Sequence, residues 1–232
     1  MNNEQKNMDK LEHNERFGVG VSLYGHENAA KLGPYASHDW YNDPKHLLFI
    51  ISRYKFCARM LEGHDRIADF GCGDGTGMPI LLQSVTRVVG VDIVPEVINY
   101  NQQFNKYPER VEYKVHNIIK SPLAEPLDAA ISMDVIEHVE HKDEDTFIAN
   151  IAKSLKANSP CIIGTPNITA QDYASESSRH EHINLKSHAS LKTLMLRHFH
   201  SVFLFSMNDE VLHTGFHAMS HYIFALAVNP KN

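Results

Sequence analysis

Residues 66–77 read RIADFGCGDGTG, a short apolar run that ends in an acid and enters a turn with glycine at every second position. A strand that breaks into such a turn brings bare backbone against a ligand in α/β proteins. The dinucleotide fingerprint G-x-G-x-x-G is not met, because position 76 is threonine. Asp69, before the turn, would repel a pyrophosphate and attract a ligand that carries an ammonium and a sulfonium group. The turn therefore predicts a cationic ligand.

Strand and helix patterns alternate around this turn, which predicts a parallel sheet with right-handed crossovers. The predicted parallel strands are Ile67–Phe70, Arg87–Asp92, Val111–Val115, Ala129–Met133 and Cys161–Gly164. Two later β-rich runs, at 201–206 and 221–228, have no helical pattern between them and should pair antiparallel. We expect an α/β fold with a mostly parallel seven-stranded sheet and an antiparallel C-terminal hairpin. Residues 1–44 are expected to form an N-terminal arm or lid, and residues 45–232 the domain.

Composition narrows the functional classes. The formal net charge of -6 argues against a nucleic-acid partner, which usually requires a basic face. The three cysteines are odd in number and widely spaced, which favours reduced thiols and a cytoplasmic location. The polar amino terminus does not resemble a secretory signal, and no apolar run is long enough to span a membrane. The sequence does not determine the oligomeric state.

Ligands of parallel sheets bind beyond the carboxyl ends of the strands. Asp92 ends the second strand, 92 − 69 = 23 positions after Asp69, where an acid can accept hydrogen bonds from both hydroxyls of a ribose. Asn117 follows the third strand and could meet an adenine edge, with Ile118 packed on the ring. The alternative for Asn117 is a turn former at the end of a strand.

Four segments in this order resemble class I S-adenosylmethionine-dependent methyltransferases: IADFGCGDGTG, VVGVDIVPEVI, LDAAISMDVIEHV and SLKANSPCIIGTPN. The resemblance implies the Rossmann-like fold of that family and S-adenosylmethionine as the cofactor. It also assigns parts of the cofactor to residues: the methionine part to Asp69, Gly71 and Gly73, the ribose to Asp92, the adenine region to Ile93 and Asn117, and the middle to Met133. More narrowly, the chain resembles ubiquinone-biosynthesis-type O-methyltransferases through the glycine turn and the D-x-x-E-H-V run.

The run Asp134-Val135-Ile136-Glu137-His138 follows the fourth strand. If the segment is helical, its two carboxylates and imidazole share one face, and a divalent cation would relieve their repulsion. Such ligands suit Mg²⁺, Mn²⁺ or Fe²⁺. A fourth ligand could be His180 or His182, of which we favour His182. The pattern resembles small-RNA 3′-terminal 2′-O-methyltransferases, although Asp134 stands where glutamate is usual.

Two alternatives to a metal at this run remain open. In the first, Glu137 and His138 only cap and solvate the start of a helix. In the second, His138 or His182 acts as a general base without a metal.

The predicted reaction is O-methylation of a hydroxyl on a small molecule such as a sugar or a phenol. A metal ion is expected to assist it, and the predicted catalytic residues are Glu137, His138 and His182. Acceptor contacts are expected from residues 17–44, 168–188 and 208–219, which contain these aromatic and histidine side chains: Tyr24, Tyr35, His38, Trp40, Tyr173, His213 and Phe216. The alternatives are a non-catalytic protein that binds S-adenosylmethionine, and an NAD-dependent reductase. Asp69 and the glycine spacing argue against the reductase.

Overall fold

The structure is a computed structural model that describes residues 29–231. Residues from Gly33 onward form one compact unit. Its eight strands are β1 (Arg66–Phe70), β2 (Arg87–Asp92), β3 (Val111–Val115), β4 (Ala129–Met133), β5 (Pro160–Pro166), β6 (Phe199–Asn208), β7 (Val211–His213) and β8 (Tyr222–Pro230). They form one sheet in the order β3-β2-β1-β4-β5-β8-β6-β7.

The first five strands pair in parallel, and β8 adds antiparallel to β5 and to β6. This arrangement confirms the predicted α/β fold and its antiparallel C-terminal pair. The sheet has one strand more than predicted, because Val211–His213, which lies between the two predicted antiparallel runs, folds back on the end of β6.

Seven helices connect or flank these strands in the described part of the chain. They are α1 (Pro34–Asn42), α2 (Pro44–Met60), α3 (Met78–Leu81), α4 (Pro95–Gln103), α5 (Glu144–Lys153), α6 (Glu176–Glu181) and α7 (His188–His198). Proline at the first position starts α1, α2 and α4, where its missing N–H has no intrahelical partner to lose. Short 3₁₀ turns cover Ile136–His138, Ile168–Tyr173 and His217–Met219.

Apolar side chains fill both faces of the sheet, which gives three layers. On one face, α5 and α7 bury residues such as Phe147 and Leu194 against alternate strand positions. On the other face, α2 and α4 bury residues such as Phe56 and Ile98. The helices therefore leave the carboxyl ends of the parallel strands as the common edge at which a ligand site is expected.

The predicted arm is described only in part. Residues 1–28, which include Tyr24, lie outside the described residues, so that expectation stays a prediction. Residues 34–42 form α1, whose Ala36 is buried, and α2 follows directly at Pro44. The boundary predicted at residue 44 therefore falls between two consecutive helices.

Candidate active site

The glycine turn after β1 contains positive φ angles, which residues other than glycine adopt only at an energetic cost. Gly71 has φ +83°, and a Cβ on it would overlap the Cγ2 atom of Val135. Gly73 has φ +51° and lies beside the ring of Tyr35. The N–H of Gly71 donates to the carbonyl of Val91 at 2.7 Å, which fastens the turn to the end of β2. The glycines thus let the turn pass between its neighbours and form a wall of the cavity beyond β1.

That cavity has a volume of about 850 Å³ and lies at the carboxyl ends of the parallel strands. Seven acidic residues line it: Asp39, Asp74, Asp92, Asp134, Glu140, Asp143 and Glu181. Within the described chain, its lining contains neither lysine nor arginine. An acidic wall without cations disfavours a phosphate group and favours a positively charged ligand.

Most of the predicted cofactor residues meet in this cavity. Its lining includes Gly71, Gly73, Asp92, Ile93, Asn117, Ile118 and Met133. The carboxylate of Asp92 accepts hydrogen bonds from the N–H groups of Gly73 at 3.1 Å and Val94 at 3.0 Å, which orients it at the end of β2. The side-chain oxygen of Asn117 accepts from the N–H of Ile119 at 3.0 Å, so Asn117 also acts as the turn former that was its alternative reading.

Asp69 occupies a different position from the one expected of a residue that holds the methionine part. Its side chain is fully buried behind the wall of the cavity, which it does not line. One carboxyl oxygen accepts from the hydroxyl of Tyr54 at 3.0 Å, and the other has no hydrogen-bond partner among the described residues. Burial raises the pKa of Asp69 to about 7. Asp69 therefore braces the turn from behind through Tyr54 on α2.

Asp134 is also placed differently from the prediction. The segment after β4 is a single 3₁₀ turn, and Asp134 itself has φ +56°, so the helical spacing assumed for the run is not formed. The buried Arg53 donates through Nη1 to both oxygens of Asp134, at 2.9 and 2.7 Å. The guanidinium of Arg53 also lies 3.8 Å from the ring centroid of Tyr222. Sequence reasoning missed Arg53, because a single arginine within an amphipathic helix resembles a solvated position.

Glu137, His138 and His182 come together as predicted. Each offers a ligand atom, and these atoms lie within 4.8 Å of one another. Glu137 is fully buried, and its Oε2 accepts from the hydroxyl of Thr165 at 3.0 Å. Its Oε1 has no hydrogen-bond partner in the part of the chain that the structure describes. Burial, and next to it the charge of Asp134, raises the pKa of Glu137 to about 8.

The two histidines of this cluster have distinct surroundings. Nδ1 of His138 lies 3.1 Å from the carbonyl oxygen of Glu181, an arrangement in which the ring donates from Nδ1 and leaves the Nε2 lone pair free. The ring of His182 lies edge-on to that of His138, with 5.1 Å between centroids. Burial, followed by the neighbouring His138, lowers the pKa of His182, which favours the neutral form of this ring. His138 also lines the cavity, which joins the cluster to it.

A buried ionic network fixes the segment that carries His182. Lys186 is 3 % exposed, and its ammonium contacts the carboxylate of Glu144 on α5 and the side-chain oxygen of Asn184. The backbone N–H of Asn184 donates to the carbonyl of Glu137 at 3.0 Å. The network therefore ties the segment directly to the residue that faces His182. Its members carry no motif, and sequence reasoning did not find them.

Comparison with known proteins agrees with this geometry. Residues 68–163 match the family model described as a methyltransferase domain. A probable S-adenosylmethionine-dependent methyltransferase of Mycolicibacterium smegmatis is 27 % identical over 115 residues, which cover 49 % of this chain and 42 % of the relative. The ubiquinone biosynthesis O-methyltransferase of Rickettsia akari is 28 % identical over 151 residues, which cover 60 % of this chain and 59 % of the relative. The chain thus spans about half the length of these relatives.

A solved structure shows the same fold. The N-methyltransferase NodS of Bradyrhizobium japonicum in complex with S-adenosyl-L-homocysteine superposes with a TM-score of 0.59 at 16 % identity, over 77 % of this chain and 87 % of that one. Together these matches confirm the predicted fold, and residues 68–163 are similar to a methyltransferase domain. Between residues 29 and 231, no helix is long and apolar enough to cross a bilayer.

Proposed function

We propose that this protein transfers a methyl group from S-adenosylmethionine to a hydroxyl of a small sugar-like or phenol-like molecule, assisted by a divalent metal. The acceptor oxygen attacks the methyl carbon, the O–C bond forms as the S–C bond breaks, and the electron pair of that bond stays on sulfur. The hydroxyl proton leaves to a base. The observation that carries this proposal is the cluster of Glu137, His138 and His182 at the edge of an acidic cavity of cofactor size.

The cavity supports the cofactor assignment. Its seven acids suit the ammonium and sulfonium groups of S-adenosylmethionine and disfavour the phosphates of a dinucleotide. Asp92, oriented by the turn, is proposed to bind the ribose. The same acidic wall disfavours a nucleic-acid acceptor, and the named O-methyltransferase among the relatives supports a hydroxyl. Cys57, Cys72 and Cys161 are free and buried, in keeping with the proposed cytoplasmic location.

Three features of the cluster fit a divalent metal. Oε1 of Glu137 is buried without a hydrogen-bond partner among the described residues, the contact of His138 Nδ1 with a carbonyl leaves Nε2 as the acceptor atom, and burial lowers the pKa of His182, which favours its neutral ring. One carboxylate with two imidazoles favours Mn²⁺ or Fe²⁺ over Mg²⁺. A bound metal would supply a Lewis acid that stabilises the alkoxide form of the acceptor. Asp134 is left out of this ligand set, because Arg53 occupies both of its oxygens.

A second mechanism uses the same residues without a metal. His182, whose pKa is lowered by burial, could take the hydroxyl proton as a general base. In that case Glu137 would remain protonated in its buried position, and its loss would affect stability more than turnover.

The test is methyl transfer from labelled S-adenosylmethionine into a panel of sugars, phenols and acids, with metal-stripped protein and with added Mn²⁺. We expect the chelated protein to be inactive and Mn²⁺ to restore turnover. Glu137→Gln should weaken Mn²⁺ binding at least roughly tenfold, whereas the exposed Glu109→Gln should leave it unchanged. Full activity in excess chelator would refute the metal and favour His182 as the base. Cofactor binding without transfer to any acceptor would indicate a non-catalytic protein.

A further inference from the structure

Asp74, in the middle of the glycine turn, is bound by protein donors on both of its oxygens. Oδ1 accepts from the hydroxyl of Thr76 at 2.7 Å, and Oδ2 accepts from the backbone N–H of Ala36 at 2.9 Å. Ala36 lies in the first turn of α1, whose preceding residue, Gly33, provides no side-chain cap. Asp74 thus takes the role of a capping residue supplied from another part of the chain. The glycine turn and the start of α1 are thereby joined.

Gly33 shows how closely the two segments approach. Its backbone lies in an ordinary extended region, with φ −67° and ψ 172°, so its conformation does not require glycine. A Cβ at this position would instead overlap the carboxylate of Asp74. The absence of a side chain at Gly33 therefore allows Asp74 to reach the N–H of Ala36.

This junction places the ring of Tyr35 on the glycine turn. A Cβ added to Gly73 would lie 3.4 Å from Cδ2 of Tyr35, so the ring lies beside the turn with room for little more than the glycine backbone. Tyr35 lines the cavity together with Asp92, which accepts a hydrogen bond from the neighbouring Gly73, and Tyr35 remains 52 % exposed. Burial, and then the charges of Asp92 and Asp74, raises the pKa of the Tyr35 phenol. An aromatic ring left half exposed on a cavity wall has apolar area available to a ligand.

We infer that Tyr35 is a cofactor-contacting residue that covers the ribose end of the site at Asp92, and that Asp74 is the positioning residue that holds α1 and Tyr35 there. The inference rests on the proposed use of S-adenosylmethionine. It assigns Tyr35 to the cofactor rather than to the acceptor, the role that its aromatic character alone had suggested. It also explains an acid within the turn that the cofactor assignment does not require.

The experiment is calorimetric titration with S-adenosyl-L-homocysteine, which binds without turnover. Tyr35→Ala should weaken binding roughly 10-fold, which corresponds to about 1.4 kcal/mol, and Tyr35→Phe should retain affinity within roughly threefold because the ring is kept. Tyr41→Ala, on the same helix and 83 % exposed, is the matched control and should bind like wild type. Denaturant unfolding of each variant confirms that it is folded.

The positioning role of Asp74 is tested by a double-mutant cycle. Asp74→Ala should weaken binding, Asp74→Asn should restore most of the affinity because its oxygen can still accept from Ala36, and Gly33→Ala should behave like Asp74→Ala. The double variant Asp74→Ala/Tyr35→Ala should bind no more weakly than Tyr35→Ala alone. Wild-type affinity of Tyr35→Ala, or losses that multiply in the double variant, would overturn the inference. A wild-type protein that does not bind the ligand would instead refute the proposed cofactor.

Discussion

The ion pair of Arg53 and Asp134 is expected to stabilise the fold through the negative charge of Asp134 and not through the shape of its side chain. The side chain of Arg53 is 7 % exposed and that of Asp134 is 33 % exposed. Asp134→Asn removes the negative charge, keeps the size of the side chain and tolerates the φ of +56° at this position. The buried guanidinium then loses its only charged partner at hydrogen-bond distance within the described chain.

The magnitude follows from the burial of the two groups. Removing one partner of a fully buried pair costs about 3–5 kcal/mol, because the other charge stays buried without compensation. Asp134 is one-third exposed, so water already weakens the attraction and the expected loss is smaller, about 2–3 kcal/mol. Arg53→Met should cost less, about 1–2 kcal/mol, since the remaining carboxylate can hydrate. The double variant should then be more stable than the sum of the single losses predicts.

The assay is equilibrium unfolding in urea, with the slope m checked for each variant. Asp209→Asn is a matched control, because Asp209 is exposed and has a similar φ of +52°. An Asp134→Asn variant within about 0.5 kcal/mol of that control would refute the stabilising role of the pair. Titration with Mn²⁺ adds a second criterion: a loss of affinity in Asp134→Asn as large as in Glu137→Gln would return Asp134 to the ligand set.

Three further predictions concern residues around the site. Burial raises the pKa of Asp69 from 3.8 to about 7, so the folded state holds this proton more tightly than the unfolded state. The stabilisation of the fold by protonated Asp69 is therefore complete below about pH 4 and is lost as the pH rises to 7. Asp69→Asn should therefore gain stability relative to wild type between pH 4 and 7, by on the order of 4 kcal/mol, in urea unfolding at several pH values; a constant difference would contradict this. Lys186→Met should cost about 3 kcal/mol in the same assay, since Glu144 loses its buried partner, and a loss below about 0.5 kcal/mol would contradict that. Gly71→Ala should lower the unfolding free energy more than Gly63→Ala. Both glycines have positive φ, but only at Gly71 would the added methyl group overlap a neighbour, Val135; equal unfolding free energies would refute the steric account.

The sequence predicted the parts of the site that depend on neighbouring positions. Gly71, Gly73 and Asp92 meet because carboxyl ends of parallel strands share one edge of a sheet, and the strand pattern revealed those ends. Glu137 and His138 are adjacent, so only the approach of His182 had to be inferred, and the structure brings it to them. These predictions required topology but no detail of packing.

Asp69 has a placement that the order of strand ends does not predict. Side chains alternate along β1, and Ile67 and Asp69 point to the face covered by α2, while Phe70 points to the other face. The acid therefore meets Tyr54, and its assignment to the methionine part of the cofactor stays a prediction. Arg53 and Lys186 were missed for a related reason. Their partners, Asp134 and Glu144, are far away in the sequence, and the packing of helices on the sheet brings each pair together.

The burial of Asp69 affects which acids of the site can attract a cationic ligand. Because burial raises the pKa of Asp69 to about 7, this carboxyl group carries less negative charge near neutral pH than an exposed acid, and its side chain lies behind the cavity wall. The acidic residues that line the cavity, with Asp92 at the end of β2, provide that attraction instead. Asp134 forms an ion pair with Arg53, which places the positive charge of that arginine against an acid of the cavity wall. The proposed attraction of a cationic cofactor, which the sequence attributed to Asp69 alone, is therefore assigned to the acids of the whole cavity wall.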